Sequence, residues 1–196
     1  MMITLPKPVY EGKISVESTL LARRSIRTFK DEPLALAEVS QLLWAAQGVN
    51  RPDGYRTCPS AGALFPLELR LVAGKVNDLA PGIYRYIPDK HQLVQSGTED
   101  PRSRLAESAL GQSMIAHAPA TLAISAVFDR TTRRYGQRGI RYVFMEAGHA
   151  SQNVHLQVVP LDLGTVVIGA FSDDRVKEVL GLDADEEPLY LMPIGR

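Results

Sequence analysis

A chain of 196 residues fits one domain, and its 45% hydrophobic content supplies a core without metals or disulfides. Its 22 basic and 22 acidic residues cancel to a formal net charge of zero, so no global field draws it to nucleic acid or to a membrane surface. The sole cysteine, Cys58, excludes an intrachain disulfide framework and suits a reducing, cytoplasmic compartment.

The start, Met1-Met2-Ile3-Thr4-Leu5-Pro6, lacks the charged-then-apolar pattern of a signal peptide. No apolar run reaches the ~18 residues of a transmembrane helix. Residues 1–14 carry two prolines and a glycine and are expected as an extended arm ahead of one domain, 15–196. Ser15 is placed to cap a helix running to about Arg24, with Leu20 and Leu21 inward. Thr28-Phe29 is short and extended. Val39, Leu42, Leu43 and Ala46 recur at the helical period, which predicts a helix over 35–47 ended by Gly48 as a C′ terminator. Residues 49–66 hold three prolines and two glycines and read as a long loop, a feature that in a small domain is usually functional or disordered.

Alternation over 67–72 predicts a strand, and 83–87 with 92–94 flank a Pro88-Asp89-Lys90 turn as a hairpin. A helix is expected over 101–110 and a buried strand over 120–128. The longest helix spans about 140–159, with Val143, Ala147, Ala150, Val154 and Val158 as its buried stripe. Its small residues Ala147, Gly148, Ala150 and Ser151 allow another backbone to pack closely. An extended segment at 166–170, a short helix at 174–180 and a strand at 189–194 complete the chain. No regular alternation of strand and helix appears, which favours α+β over a doubly wound sheet.

Several standard constellations are missing: no G-x-G-x-x-G after a strand, no P-loop, no G-x-S-x-G elbow and no H-E-x-x-H. His149 and His155 are six apart, off the spacing that aligns two ligands on one helix face, so His91, His117, His149 and His155 read as packed or exposed residues and no metal site is expected. Three segments carry positive signals. Arg23-Arg24-Ser25-Ile26-Arg27 can grip a phosphate, because guanidinium forks match phosphate oxygens; a solvated basic helix end is the alternative. In Cys58-Pro59-Ser60-Ala61-Gly62-Ala63-Leu64-Phe65-Pro66, small residues between prolines make a rigid loop on which a flat ligand can lie. In Gly164-Thr165-Val166-Val167-Ile168-Gly169-Ala170, backbone amides stand beside an apolar wall. Taken singly, the last two also suit an ordinary loop and a plain buried strand.

In this order the three segments resemble the nitroreductase superfamily, most closely its SagB-type dehydrogenase branch, which includes the azoline oxidases of peptide heterocycle synthesis. The likeness runs from Arg23 to Arg196, and its most specific markers are residues 42–48, 59–68 and Glu146-Ala147-Gly148-His149-Ala150-Ser151-Gln152-Asn153. It implies an α+β fold with a central mixed or antiparallel sheet wrapped by helices, and two FMN molecules at the interface of an intertwined homodimer. Arg23, Ser25 and Arg27 would hold the phosphate and ribityl chain, with Arg24 free to point away and Arg196 adding charge. Pro59, Ser60, Ala61, Gly62 and Ala63 would come from the other subunit and lie along the isoalloxazine. Val167, Ile168 and Gly169 would face the ring edge, with a backbone N–H near N5. Azoline oxidases of this branch carry a Lys-Tyr pair. The nearest pair here is Arg141-Tyr142, and arginine cannot act as a base near neutral pH, which leaves Tyr142 as the candidate proton donor.

The expected activity is FMN-dependent transfer of hydride or electrons between flavin N5 and a small organic or peptide-heterocycle substrate. One rival is a general NAD(P)H-dependent nitro or quinone reductase; another is a flavin-binding subunit inactive without a partner protein. Arg130, Arg133, Arg134, Arg138 and Arg141 crowd the entry to the long helix with only Asp129 nearby. Arg138 and Arg141 are accordingly candidates for substrate selection, the alternative being a solvated face.

Overall fold

The computed structural model describes residues 1–196. Seven strands form one sheet: β1 (Met2–Thr4), β2 (Leu67–Ala73), β3 (Gly82–Ile87), β4 (Gln92–Gly97), β5 (Ala120–Val127), β6 (Gly164–Thr165) and β7 (Glu186–Gly195). Their spatial order is β1-β4-β3-β2-β5-β7-β6, and every neighbouring pair is antiparallel. Seven helices surround it: α1 (Val16–Ala22), α2 (Leu36–Gln47), α3 (Arg102–Ser108), α4 (Met114–His117), α5 (Asp129–Tyr135), α6 (Arg138–Gln157) and α7 (Asp173–Leu180). This is the expected α+β architecture, with the antiparallel form of the sheet. No helix is long and apolar enough to cross a membrane.

Two apolar clusters flank the sheet, and the alternating faces of its strands assign residues to one or the other. On one side Leu69, Leu71, Tyr84, Leu122 and Ile124 meet α2 and the stripe Val143, Ala147, Ala150, Val154 and Val158 of α6. On the other, Val72, Ala123 and Leu191 meet α3, α4 and α7 through Leu105, Ile115 and Val176. The central strands are tied by a buried polar contact: Glu186 of β7 accepts from both terminal nitrogens of Arg70 on β2 and from Ser125 on β5.

Several local expectations are corrected. Ser15 does cap α1, accepting from the Ser18 N–H at 3.2 Å, but Leu20 and Leu21 point out, 54% and 90% exposed, and Thr19 is the residue buried. Gly48 ends α2 in an extended conformation (φ −66°, ψ 148°), not as a left-handed cap. A Cβ there would stand 2.2 Å from the Trp44 ring, so close packing explains that glycine. The short α4 and α5 were not anticipated. α5 is a charged seven-residue helix with no apolar period to reveal it. The extended segment expected at 166–170 makes one bridge, Ile168 to Leu191, and the ladder itself lies just before it at Gly164–Thr165. The N-terminal arm is docked, since β1 pairs along the β4 edge and Leu5 is buried. Among the small residues of α6, Ala147, Ala150 and Ser151 are buried within the chain, and only Gly148 leaves its surroundings open.

Candidate functional site

The first and third signal segments lie side by side. Arg23 ends α1, its N–H bonding the Thr19 carbonyl at 2.9 Å. The chain then runs beside β6, where Ser25 bridges Thr165 and the Ile26 N–H donates to the Thr165 carbonyl at 2.9 Å. Gly164 permits this approach, because a Cβ there would meet the Ile26 side chain at 2.7 Å. Arg23 is half-buried; Arg24, Ser25 and Arg27 are exposed. None of the three guanidiniums is ion-paired within the chain. His155 on α6 is buried nearby. Burial, then the Arg23 charge, holds it below the usual histidine range, and its Nδ1 has no hydrogen-bond partner. Ile168 is buried and spends both backbone groups on Leu191, each at 2.9 Å. The flanking amides of Val167 and Gly169 make no backbone hydrogen bond, so they are the ones open to a ligand.

Pro59, Ser60, Ala61, Gly62 and Ala63 sit elsewhere, over the N-terminal half of α6. Their loop is held from below. The Thr57 N–H bonds the Gly48 carbonyl at 2.9 Å, Asn153 bonds the Ala45 and Thr57 carbonyls, and the Cys58 thiol lies 3.5 Å from the Glu146 carbonyl oxygen. The tip turns through left-handed backbone at Gly62 (φ 63°), Ala63 (φ 54°) and Phe65 (φ 46°). The two non-glycine residues are strained there. Ser60 braces the turn: its Oγ accepts from the Phe65 N–H at 2.9 Å, and its carbonyl accepts from the Ala63 N–H at 3.1 Å.

Beneath the loop lies a polar cluster whose members are far apart in the chain. The Glu146 carboxyl is 2% exposed and faces Ser60, Arg56 and Gln47. Burial pushes it up to about 7 against the pull of those three groups, and its Oε1 has no hydrogen-bond partner. Arg56 donates to Gln47 Oε1 at 3.0 Å and stacks over the Phe65 ring, 4.5 Å from its centroid. Arg56 Nε and Gln47 Nε2 are likewise unpartnered. Burial and the neighbouring Glu146 push the Cys58 thiol up to about 12, so it is a packed thiol and no nucleophile near neutral pH.

On the outer side, a Cβ at Gly62 would meet the Tyr135 hydroxyl at 2.8 Å and Arg134 Nη1 at 3.1 Å. The Tyr135 and Tyr142 rings meet edge to face, centroids 5.2 Å apart. Tyr135 is thus the phenol that borders the loop, with Tyr142 behind it. The signal was present, since Arg134-Tyr135 is the same dipeptide as Arg141-Tyr142, seven residues earlier. Arg130 is paired with Glu68 of β2 and Arg133 with Asp129, so a strand supplies a counter-charge that linear proximity did not reveal. Arg134, Arg138 and Arg141 are exposed without ion pairs. Arg196 binds Glu38 and the Pro33 carbonyl, so its charge is already engaged.

The Nitroreductase family profile matches residues 20–196, and the chain belongs to that family. It is 47% identical over 184 residues to a Methanocaldococcus jannaschii protein provisionally assigned as a nitroreductase, covering 94% of this chain and 92% of the relative. A crystal structure of a Ralstonia eutropha protein with the same provisional assignment superposes with a TM-score of 0.87 at 33% identity, covering 100% of this chain and 89% of that one. More distant is the Escherichia coli microcin B17-processing protein McbC, 27% identical over 156 residues, with 76% of this chain and 57% of the relative covered. The structure of the McbBCD microcin synthetase complex, with truncated pro-MccB17 bound, gives a TM-score of 0.77 at 25% identity, covering 98% of this chain and 77% of that one. The chain thus spans little more than half the length of McbC as a curated protein.

Proposed function

We propose that this protein is an FMN-dependent oxidoreductase that acts as a homodimer on a small organic or peptide-heterocycle substrate. Members of the nitroreductase family typically bind flavin. The observation that carries the reading is the set of unpaired guanidiniums of Arg23, Arg24 and Arg27 with the Ser25 hydroxyl, on a segment that bridges Thr165 just ahead of Val167–Gly169. That donor set suits a phosphate dianion, because charge-assisted bonds to phosphate are the strong ones and these cations have no carboxylate to satisfy them. The adjoining wall of Val167, Ile168 and Gly169 suits an apolar ring edge, and the Val167 and Gly169 amides are free to donate to it.

FMN, when bound, supplies the ring that accepts or gives up hydride. Arg23, Ser25 and Arg27 would hold its phosphate, and the Val167 and Gly169 amides would donate to the ring. The loop at 59–63 stands over the Glu146 end of α6, whereas the arginine segment stands by His155, nine residues further along that helix. With 1.5 Å rise per residue these ends are about 14 Å apart along the axis. A loop from one subunit completing the cradle of another accommodates that separation, which supports the homodimer. Tyr135, at Gly62, borders this site more closely than Tyr142 and is the better-placed proton donor.

The deciding measurement is the visible spectrum of protein purified after reconstitution with FMN. Flavin bands retained through gel filtration are expected, and their absence defeats the reading. Likeness to McbC favours a SagB-type dehydrogenase acting on peptide heterocycles, and McbC's place in the McbBCD complex favours dependence on partner proteins. The M. jannaschii relative favours a general NAD(P)H-dependent nitro or quinone reductase. Turnover of NADPH with a quinone by the purified protein alone, and none with an azoline peptide, selects the latter.

A further inference from the structure

We infer that Glu146 is a positioning residue for the 58–65 loop, its buried carboxyl setting how readily the strained tip closes over the flavin site. The inference rests on the proposed flavin reading only for what the loop covers. The geometry is local to the chain. Glu146 lies on α6 beneath the loop, where its carbonyl oxygen is 3.5 Å from the Cys58 thiol; the residue is 2% exposed and its buried Oε1 has no hydrogen-bond partner. Ser60 lies near that carboxyl and braces the turn, its Oγ accepting from the Phe65 N–H and its carbonyl from the Ala63 N–H. The turn itself is left-handed at Gly62, Ala63 and Phe65, so without a brace it relaxes. Two residues beyond Ser60, a Cβ at Gly62 would meet the Tyr135 hydroxyl, so the tip packs closely beside that phenol.

The groups facing Glu146 are few. From α2 there is Gln47, which is neutral. From the loop there are Arg56, Cys58 and Ser60, and of these only Arg56 is charged. Arg56 is itself desolvated and lies in the fields of Asp89, Glu68 and Arg130. One partly shared cation does not repay the cost of burying a carboxylate, so the closed loop favours the neutral acid. When the loop lifts, water reaches Glu146 and the acid ionises at its ordinary value. Closing the loop therefore takes up a proton. By linkage the opening equilibrium rises with pH, approaching tenfold per unit below the raised value near 7 and levelling above it.

Amide hydrogen exchange of the 58–65 segment tests this in the full-length, flavin-free protein. Rates at pH 5.5 to 8 are corrected for the intrinsic pH dependence of exchange. The corrected opening of wild type is expected to rise severalfold or more up to pH 7 and then flatten. Glu146→Gln, which mimics the neutral acid, is expected to abolish the slope, and Ser60→Ala to raise opening at every pH while keeping it. A flat wild-type profile overturns the inference with no variant needed, and so does a slope that survives in Glu146→Gln. FMN affinity over the same range separates the two proposals. A slope in exchange with a flat FMN affinity upholds Glu146 and rejects the loop's place on the flavin. Tight FMN binding with flat exchange does the reverse.

Discussion

The residues that define the site differ in what holds them. Arg23, Arg24 and Arg27 make no ion pair within the chain, so truncating them should cost the fold little and, on the proposed reading, weaken phosphate binding. Arg27→Ala is expected to weaken FMN binding by about 1.5–3 kcal/mol, the range for hydrogen bonds to charged groups, with thermal stability of the flavin-free protein unchanged. Isothermal titration checks both the size and the preference for FMN over riboflavin. The two buried glutamates respond oppositely to pH. Burial alone would raise Glu186, but the bonds from Arg70 and Ser125 outweigh it and hold that carboxyl below its ordinary value. Its stabilising contribution is present above the unfolded value and is lost as pH falls below about 4.5. Burial raises Glu146 to about 7, so its ionisation costs stability progressively from about pH 4.5 up to 7. Glu146→Gln should therefore gain on wild type in urea denaturation as pH rises from 5 to 8. A constant difference across that range contradicts it.

At the scale of elements, the 59–65 loop and the approach to α6 can be probed separately. Ala63 holds φ 54° on the exposed loop tip, so Ala63→Gly should raise the unfolding free energy by about 1 kcal/mol, the left-handed penalty of a residue with a Cβ. A lower urea midpoint would show instead that the alanine methyl packs usefully. Arg138 and Arg141 open α6 with neither side chain ion-paired, whereas Arg130 and Arg133 are neutralised by Glu68 and Asp129. The double variant Arg138→Ala, Arg141→Ala should keep FMN but bind an anionic electron donor less tightly, with a weaker salt dependence than wild type. Loss of FMN would move the pair into the cofactor site, and no change would leave them a solvated face.

For the whole molecule, the proposed homodimer would cover apolar surface that the chain by itself leaves exposed. Val16, Leu20 and Leu21 on α1, with Phe144 and Met145 on α6, are all more than half exposed. An obligate interface buries ~2,000 Å² or more, and such surface is rarely left to water. Light scattering at micromolar concentration should give a dimer. Leu21→Lys should yield a folded monomer, because Leu21 at 90% exposure contributes nothing to the core of its own chain. A dimeric Leu21→Lys would place the interface elsewhere. The centre of the sheet behaves differently. Removing one partner of the buried Arg70–Glu186 contact leaves an unpaired charge, so Glu186→Ala should cost about 3–5 kcal/mol in urea denaturation.

Periodicity sufficed where an apolar stripe runs unbroken along an element. The α6 stripe, the α2 face and the alternation of β2 each encode which side meets the core, and the structure uses them as written. The family was also legible, since its markers are short contiguous segments. Tertiary structure decided what depends on neighbours distant in sequence. Leu20 and Leu21 carry a core-like signal that only the surroundings reveal to be surface. Glu68 neutralises Arg130 across 62 residues, and Glu186 is reached by Arg70 across 116. Glu146 lies near Ser60 only because α6 passes beneath the loop, and burial there pushes its carboxyl up to about 7. A side chain's chemistry depends on the water and charges around it, and those are fixed when remote segments meet.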